Sequence, residues 1–151
     1  MRASIVLCDF AEKGQPGGKV HMLGAGWTVI GPGPSPHAVV VLIKVEWTEA
    51  NRPHDFVLEL LDADSNLVRV PSPAGSQLLR FAGNLEVGRP PGIPEGSEID
   101  TSFVVQLQPL QLNGGQRYRW RLTIDTEETA SEAFFVRPAP RPQQPTPPPA
   151  G

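Results

Sequence analysis

A glycine-rich stretch near the start of the chain, GAGWTVIGPGPSPH (24–37), contains residues of the kind that bind phosphate. A phosphate loop needs a strand before its glycines and a helix after them, because the N–H groups of the helix N-terminus hold the anion. Here the strand-like sequence WTVI follows the GAG tripeptide, and the alternating prolines of GPGPSP lack N–H donors and forbid a helix start. The stretch is therefore predicted to be a stiff connection between strands.

A second stretch, DADSN, has the oxygen-rich spacing that opens a calcium loop. Its candidate ligands are Asp62, Asp64 and Asn66. The match does not continue, since Leu67 stands where such a loop needs glycine and Pro73 where it needs a bidentate glutamate. Aspartate and asparagine also form tight turns through their own hydrogen bonds. The sequence predicts no metal ion and no cofactor, and calcium binding remains an alternative.

No combination of residues in the sequence predicts catalysis. The histidines, His21, His37 and His54, are far apart and lack the spacing of zinc ligands. The single cysteine, Cys8, lies in an apolar run that predicts a buried thiol. The sequence pattern of a nucleophile elbow is also missing. We predict that the protein is not an enzyme, and an enzyme whose site is assembled only by the fold is the second alternative.

Length and charge restrict the class of partner. The chain of 151 residues fits one ordinary domain, and its formal net charge is −3. Nucleic acids and anionic membranes are usually bound by basic surfaces, so neither is a predicted partner. The apolar run at the start of the chain is short and lacks the cleavage site of a secretory signal. A cytoplasmic location is predicted, and the lone cysteine agrees with a reducing compartment.

The last fifteen residues, RPAPRPQQPTPPPAG, contain seven prolines and no large apolar side chain. Such a segment cannot bury enough apolar surface to offset the entropy that ordering would cost. We predict a β domain over residues 1–136 and a disordered proline-rich tail over residues 137–151. The PxxP spacing from Pro142 to Pro145 suits docking in an aromatic groove, and a plain linker is the alternative.

Alternation of apolar and polar residues, the period of a half-buried strand, recurs through the domain. It is clearest in RYRWRLTID (117–125) and SFVVQLQ (102–108). The segment AVVVLIKVEW (38–47) is apolar without alternation through Ile43 and then alternates, as expected for a central strand covered on both faces at one end. We predict an all-β fold, an antiparallel β-sandwich of eight or nine strands, with a small closed barrel as the alternative.

The segment LNGGQRYRW (112–120) refines this fold class. Tyr118 follows a glycine-containing turn, and the apolar Trp120 stands two positions later, where immunoglobulin domains carry a cysteine. This arrangement is similar to the tyrosine corner of immunoglobulin-like sandwiches. The alternative is that Tyr118 is simply a strand aromatic that faces the core.

If successive strands run antiparallel, alternate connections lie at the same end of the domain. Nine predicted strands place the loops 25–37, 63–65, 88–97 and 126–130 at one end. Loops stiffened by proline lose little entropy on binding, so this end is the predicted partner-binding surface. Its candidate residues are Trp27, Pro32, Pro34, Pro36, Arg89, Pro90, Pro91 and Ile93. The alternative is that the prolines only terminate strands and block edge-to-edge pairing.

Several stretches together resemble an uncharacterised family of bacterial, typically actinobacterial, single-domain proteins of unknown function. They are CDFA, KVHMLGAGWTVIGPGPSPHAVVVLIKVEW, LELLDADSN, EVGRPPGIPEGS and YRWRLTID. The resemblance extends from Ile5 to Pro138 and implies a compact cytoplasmic β-sandwich, but it brings no activity and no catalytic residue. The predicted function is a non-enzymatic protein-interaction or structural module, which binds an unidentified protein or a second copy of itself. The alternative is a sandwich that binds a small ligand or calcium.

Overall fold

The computed structural model describes residues 1–15 and 17–144 and confirms that the fold is all-β. A short 3-10 helix, Trp47–Glu49, follows the fifth strand. In chain order the strands are β1 Arg2–Cys8, β2 Phe10–Lys13, β3 Val20–Leu23, β4 Val29–Ile30, β5 Ser35–Val45, β6 Pro53–Leu61, β7 Arg69–Ser72, β8 Gly75–Leu78, β9 Arg80–Glu86, β10 Ile99–Leu110, β11 Arg117–Ile124 and β12 Glu127–Val136.

The described residues thus form twelve strands rather than the eight or nine predicted. The strand β2 was not predicted, because its four residues are too few to show a period. The segment 77–87, predicted as one strand, is divided at the buried Leu79 into β8 and β9. The backbone of Leu79 forms hydrogen bonds with Val68 and Leu60. At this residue the chain passes from the two-stranded sheet that contains β8 to the five-stranded sheet that contains β9.

Two larger sheets and two hairpins make up the fold. The first large sheet has the strand order β1-β5-β10, and the second has the order β4-β12-β11-β6-β9. The hairpins are β2-β3 and β7-β8. Every pairing is antiparallel except that of the short β4, which runs parallel to β12.

Apolar side chains from both large sheets form one core. Val41 and Ile43 of β5 belong to the same buried cluster as Leu58 of β6 and Trp120 and Leu122 of β11. Each of these side chains is almost fully buried. Burial of one large apolar side chain contributes roughly 1.5–3 kcal/mol to the stability of a fold. The alternation seen in the sequence of β11 therefore directs one face of that strand into the core.

The hydroxyl of Tyr118 accepts a hydrogen bond from the backbone N–H of Asn113, five residues upstream, at 3.0 Å. This is the hydrogen bond that defines a tyrosine corner. Tyr118 is also buried and stacks on Phe134 at 5.7 Å between ring centroids. The same side chain therefore forms the corner and faces the core.

The two proline-rich loops lie at opposite ends of the domain, so the prediction that they share an end was wrong. The loop 25–37 enters β5 at Ser35, which lies near Leu110, whereas the loop 88–97 leads to Ile99, which pairs with Val45 at the other end of β5. The strand β5 has eleven residues and is about 35 Å long. The physical reason is the division at Leu79, because one additional strand reverses the end at which every later connection lies.

The last strand ends at Val136, where the predicted domain also ends. Residues 137–144 contain neither strand nor helix. The rest of the predicted tail, including Pro145 of the PxxP spacing, lies outside the described residues.

Candidate functional site

The outer face of the sheet β1-β5-β10 carries the candidate site. Alternate residues of its strands point away from the core, and the antiparallel register aligns them in rows across the sheet. At one end of the sheet these rows are mostly polar. The end row is Arg2, Lys44 and Asp100, and the next row is Ser4, Leu42 and Ser102.

The β2-β3 hairpin covers the other half of the same face. Ala11 of β2 packs against Cys8, Ala38 and Val40 in a second, smaller cluster of buried residues, and Val20 of β3 lies against it. The amide N–H of Ala11 donates to Gln106 Oε1 at 3.0 Å, which fixes the hairpin to β10. This cover explains the sequence of β5, in which residues 38–41 are all buried. Burial alternates from Leu42 onward, two residues earlier than the sequence predicted, because Leu42 is apolar but exposed.

A groove of about 620 Å³ lies where the hairpin meets the open half of the face. Its volume is within the range of roughly 300–1,000 Å³ that is usual for ligand sites. Val20 and Met22 of the hairpin and Leu42 of β5 provide apolar lining. Polar lining comes from Arg2, Ser4, Lys13, Lys19, Lys44, Asp100, Thr101 and Ser102.

The charges in this groove are mostly positive. The guanidinium of Arg2 donates to both carboxylate oxygens of Glu98 at 2.7 and 2.8 Å, and the ammonium of Lys44 lies 2.7 Å from Asp100 Oδ1. The ammonium of Lys13 donates to the carbonyl of Ser102 at 2.6 Å. Within the described part of the chain, neither Lys13 nor Lys19 forms an ion pair with a carboxylate. Both lysines are therefore able to pair with an acidic group that enters the groove.

An apolar pair lies on the opposite side of the hairpin. Phe10 and Leu23 are cross-strand partners of β2 and β3, and 67% of Leu23 is exposed. Together with Met22 they are among the few large apolar side chains that the surface exposes. The hairpin thus presents apolar side chains to solvent on both of its sides.

The predicted residues of the first proline-rich loop are not equally accessible. Trp27 is half-buried and packs edge-on against His37 and Phe134, with ring centroids at 5.0 and 5.6 Å. Its ring is therefore part of the packing that closes this end of the core. The other candidates of this loop, Pro32, Pro34 and Pro36, are exposed.

The second proline-rich loop is held to the 3-10 helix. The guanidinium of Arg89 lies over the ring of Trp47 at 4.7 Å and donates to the Trp47 carbonyl at 2.8 Å. Pro90 and Pro91 are exposed and Ile93 is half-buried. The candidates of the two loops are therefore separated by the length of the sheet and do not form one surface.

The DADSN turn uses its own oxygens. Asp62 Oδ1 accepts hydrogen bonds from the backbone N–H groups of Asp64 and Asn66, each at 2.9 Å. The backbone N–H of Asp62 donates to the carbonyl of Asn66, which closes the turn. In residues 1–15 and 17–144 there is no group of three or more His, Cys, Asp or Glu side chains placed to hold a metal ion.

His37 is fully buried and is bonded to the core. Trp120 Nε1–H donates to His37 Nε2 at 2.8 Å, so the proton of the neutral ring is on Nδ1. Burial lowers the pKa of His37 to about 4. This side chain is therefore a neutral part of the core at ordinary pH.

His54 is bonded on both sides of its ring. Its Nδ1 lies 2.5 Å from Asp125 Oδ2, and its Nε2 lies 2.8 Å from the carbonyl oxygen of Glu49. Since a carboxylate and a carbonyl can only accept, both ring nitrogens donate when the ring is protonated, and the arrangement favours the imidazolium. Burial lowers the pKa of His54, but the hydrogen bonds to Asp125 and Glu49 and the charge of Asp125 together raise it above its usual value. The hydrogen bond from His54 lowers the pKa of Asp125.

Arg119 and Arg121 of β11 are paired with carboxylates on the outer face of the second sheet, whereas Arg117 is exposed and forms no ion pair among the described residues. Arg121 and Arg80 share the carboxylate of Glu59, at 2.7 and 3.3 Å, and Arg119 bonds to Glu128 at 2.8 Å. Cross-strand pairing of this kind neutralises most of the positive charge in the row. The groove on the first sheet is therefore the more strongly basic surface.

Comparison with known proteins identifies the family but no activity. The model described as "Family of unknown function (DUF6941)" matches residues 3–137. The chain belongs to DUF6941. This confirms the resemblance to a family of unknown function. No curated protein and no solved structure is significantly similar to the chain. Among the described residues of this DUF6941 protein, no helix is long and apolar enough to cross a membrane.

Sequence reasoning did not find the groove. Its lining comes from separate parts of the chain, namely residues 2–4, residues 13, 17–20 and 22, residues 42–44 and residues 100–102. One signal was present in the sequence, since the change from continuous to alternating apolar residues after Ile43 lies within two residues of the point where the cover of β5 ends. The sequence did not reveal which segment provides that cover.

Proposed function

We propose that the protein is a cytoplasmic, non-enzymatic interaction module with an immunoglobulin-like β-sandwich, and that it binds a partner protein in the groove beside the β2-β3 hairpin. The sandwich is supported by the core that the two large sheets share and by the hydrogen bond from Asn113 to Tyr118. The lone cysteine, which cannot form an internal disulfide, supports the cytoplasmic location.

The observation that carries the proposal is the groove itself. It combines apolar lining with lysines that lack carboxylate partners within the described residues, on a chain whose net charge is negative. Binding surfaces commonly pair an apolar centre with a charged rim, since the apolar part supplies affinity and the charges supply specificity.

A non-enzymatic role is supported by how two of the three histidines are used. A general base needs a free nitrogen within reach of a substrate. His37 is enclosed in the core, and both nitrogens of His54 lie against fixed acceptors, Asp125 and the Glu49 carbonyl. The His54–Asp125 pair therefore resembles a catalytic dyad in composition only.

A partner protein is favoured over a second copy of the chain by symmetry. A two-fold dimer through this groove would place the same patch on both subunits, so Lys13 and Lys19 would approach their own copies. Like charges brought together in an interface are unfavourable. A different protein avoids this repulsion.

Site-specific photo-crosslinking in cells that express the protein tests the proposal. A photoreactive amino acid replaces Leu42 in the groove, and the matched control replaces the exposed Ala82 on the other large sheet. We expect one discrete adduct from position 42, its loss when Met22→Asp is added, and no such adduct from position 82. Equal adducts from both positions, or a dimer formed by the purified protein alone, would contradict the proposal.

A further inference from the structure

We infer that the segment of the partner that occupies the groove is acidic, partly apolar and extended, with carboxylates paired to Lys13 and Lys19 and an apolar side chain against Met22 and Leu42. This inference rests on the proposed function, because it names the chemistry of the partner at the same groove.

The charge balance of the groove indicates an acidic occupant. Of the four basic side chains that line it, Arg2 is paired with Glu98 and Lys44 with Asp100. The two remaining cations are Lys13 and Lys19, which have no carboxylate partner within residues 1–15 and 17–144. Carboxylates of a partner are the groups that complement them.

Lys13 is already positioned for such a contact. Its ammonium is held 2.6 Å from the Ser102 carbonyl, at the edge of the open half of the face. An ammonium has three N–H donors, and this contact uses one of them. The side chain has therefore lost much of its rotamer freedom before binding, which reduces the entropy that a salt bridge would otherwise cost.

The apolar lining and the dimensions of the floor indicate the rest of the occupant. Leu42 is 39% exposed, and the flexible thioether side chain of Met22 adapts to different shapes. The floor consists of three strands, which span about 10 Å. An α-helix with its side chains is about 10–12 Å wide, so an extended segment beside the hairpin fits the floor better than a helix.

Fluorescence polarisation with two labelled, end-blocked peptides tests the inference. One peptide alternates glutamate and leucine, and the other alternates lysine and leucine. We expect only the acidic peptide to bind, and its affinity to fall as ionic strength rises from about 0.05 M to about 0.5 M, because salt screens exposed charges. Lys19→Gln should weaken binding about two- to fivefold, and Lys19→Glu should weaken it about tenfold.

The matched control is Arg117→Gln, which removes one positive charge from an exposed site on the other large sheet. It should leave the affinity unchanged. The inference is overturned if both peptides bind equally, if Arg117→Gln weakens binding as much as Lys19→Gln, or if the protein instead binds phosphatidylglycerol vesicles through Lys19. An adduct from position 42 without selectivity for the acidic peptide would leave the proposed function standing and remove this inference alone.

Discussion

The imidazolium of His54 gives the fold a pH dependence that one substitution should remove. In Asp125→Asn the side chain keeps its shape but loses the negative charge that faces His54 Nδ1. The backbone of Asp125 has φ 48°, a left-handed conformation that asparagine adopts readily. The amide oxygen of the new side chain can still accept the backbone N–H of Asp55, as Asp125 Oδ1 does at 3.0 Å. The NH2 group then faces His54 Nδ1, so the substitution removes the charge and the acceptor of the His54 bond while it preserves the turn.

The expected loss of stability follows from the unequal burial of the pair. His54 is 3% exposed and Asp125 is 53% exposed. Fully exposed ion pairs contribute about 0–1 kcal/mol, whereas hydrogen bonds to charged groups contribute about 1.5–3 kcal/mol. With one partner buried and the other screened by water, we expect Asp125→Asn to lower the free energy of unfolding by about 1–2 kcal/mol near pH 5.5.

The direction of the pH dependence follows from the two pKa shifts. Because the pKa of His54 is raised, the stability it contributes is fully present below about pH 6.5 and is lost as the pH rises through the pKa of the folded protein. Because the pKa of Asp125 is lowered, its contribution is present above about pH 3.9 and is lost as the pH falls through its folded value. The effect of Asp125→Asn should therefore be largest between these limits and smaller at about pH 9.

Urea unfolding of both proteins at each pH measures the effect, and NMR titration of the His54 ring measures its pKa directly. Asp55→Asn is the matched control, because it removes a neighbouring carboxylate that bonds to Asn84 instead of His54. The control should change stability by less than about 0.5 kcal/mol. Equal losses for Asp125→Asn at both pH values, or a His54 ring that titrates below its usual value, would refute this reasoning.

Three further predictions concern the fold. Tyr118→Phe removes the acceptor of the corner hydrogen bond and should lower the free energy of unfolding, measured in urea, by about 0.5–1.5 kcal/mol. An unchanged unfolding midpoint would contradict this prediction. A Cβ on Gly83 would lie 2.9 Å from the Phe56 ring, so Gly83→Ala should lower the free energy of unfolding by about 1–3 kcal/mol. The control Gly31→Ala has open space around the new Cβ and should lack this steric penalty. Burial raises the pKa of the Cys8 thiol, so a disulfide reagent should modify it only when urea unfolds the protein, and fast reaction of the folded protein would show that the thiol is accessible.

Local sequence patterns were sufficient for the features that depend on nearest neighbours. The alternation of residues 117–125 predicted which face of β11 lies in the core, since side chains of a strand point to opposite sides in turn. The continuous apolar run at 38–43 predicted that β5 is covered on both faces at one end, and the structure shows this cover over residues 38–41. Tyr118 and the turn before it predicted either a tyrosine corner or a strand aromatic that faces the core, and both depend on residues no more than five positions apart.

The features that the sequence did not predict depend on contacts between distant segments. The break at Leu79 arises because its backbone bonds to Val68 and Leu60, and this break decides that the two proline-rich loops lie at opposite ends. Nothing in the local pattern of residues 77–87 distinguishes one strand from two. The prediction that Trp27 and Arg89 share one surface depended on the count of nine strands. Because that count was wrong, the predicted shared surface was wrong as well.

The sequence by itself determined the all-β class, the core faces of the main strands and the family, because these follow from residue types and their period along the chain. Only the tertiary structure decided where the hairpin lies and therefore where a groove remains open. The lysines of the hairpin and the open rows of the sheet are brought together by pairings such as Ser102 with Leu42, which join segments about sixty residues apart. A pattern with a period of two residues contains no information about which distant strand becomes the neighbour, and that choice created the candidate site.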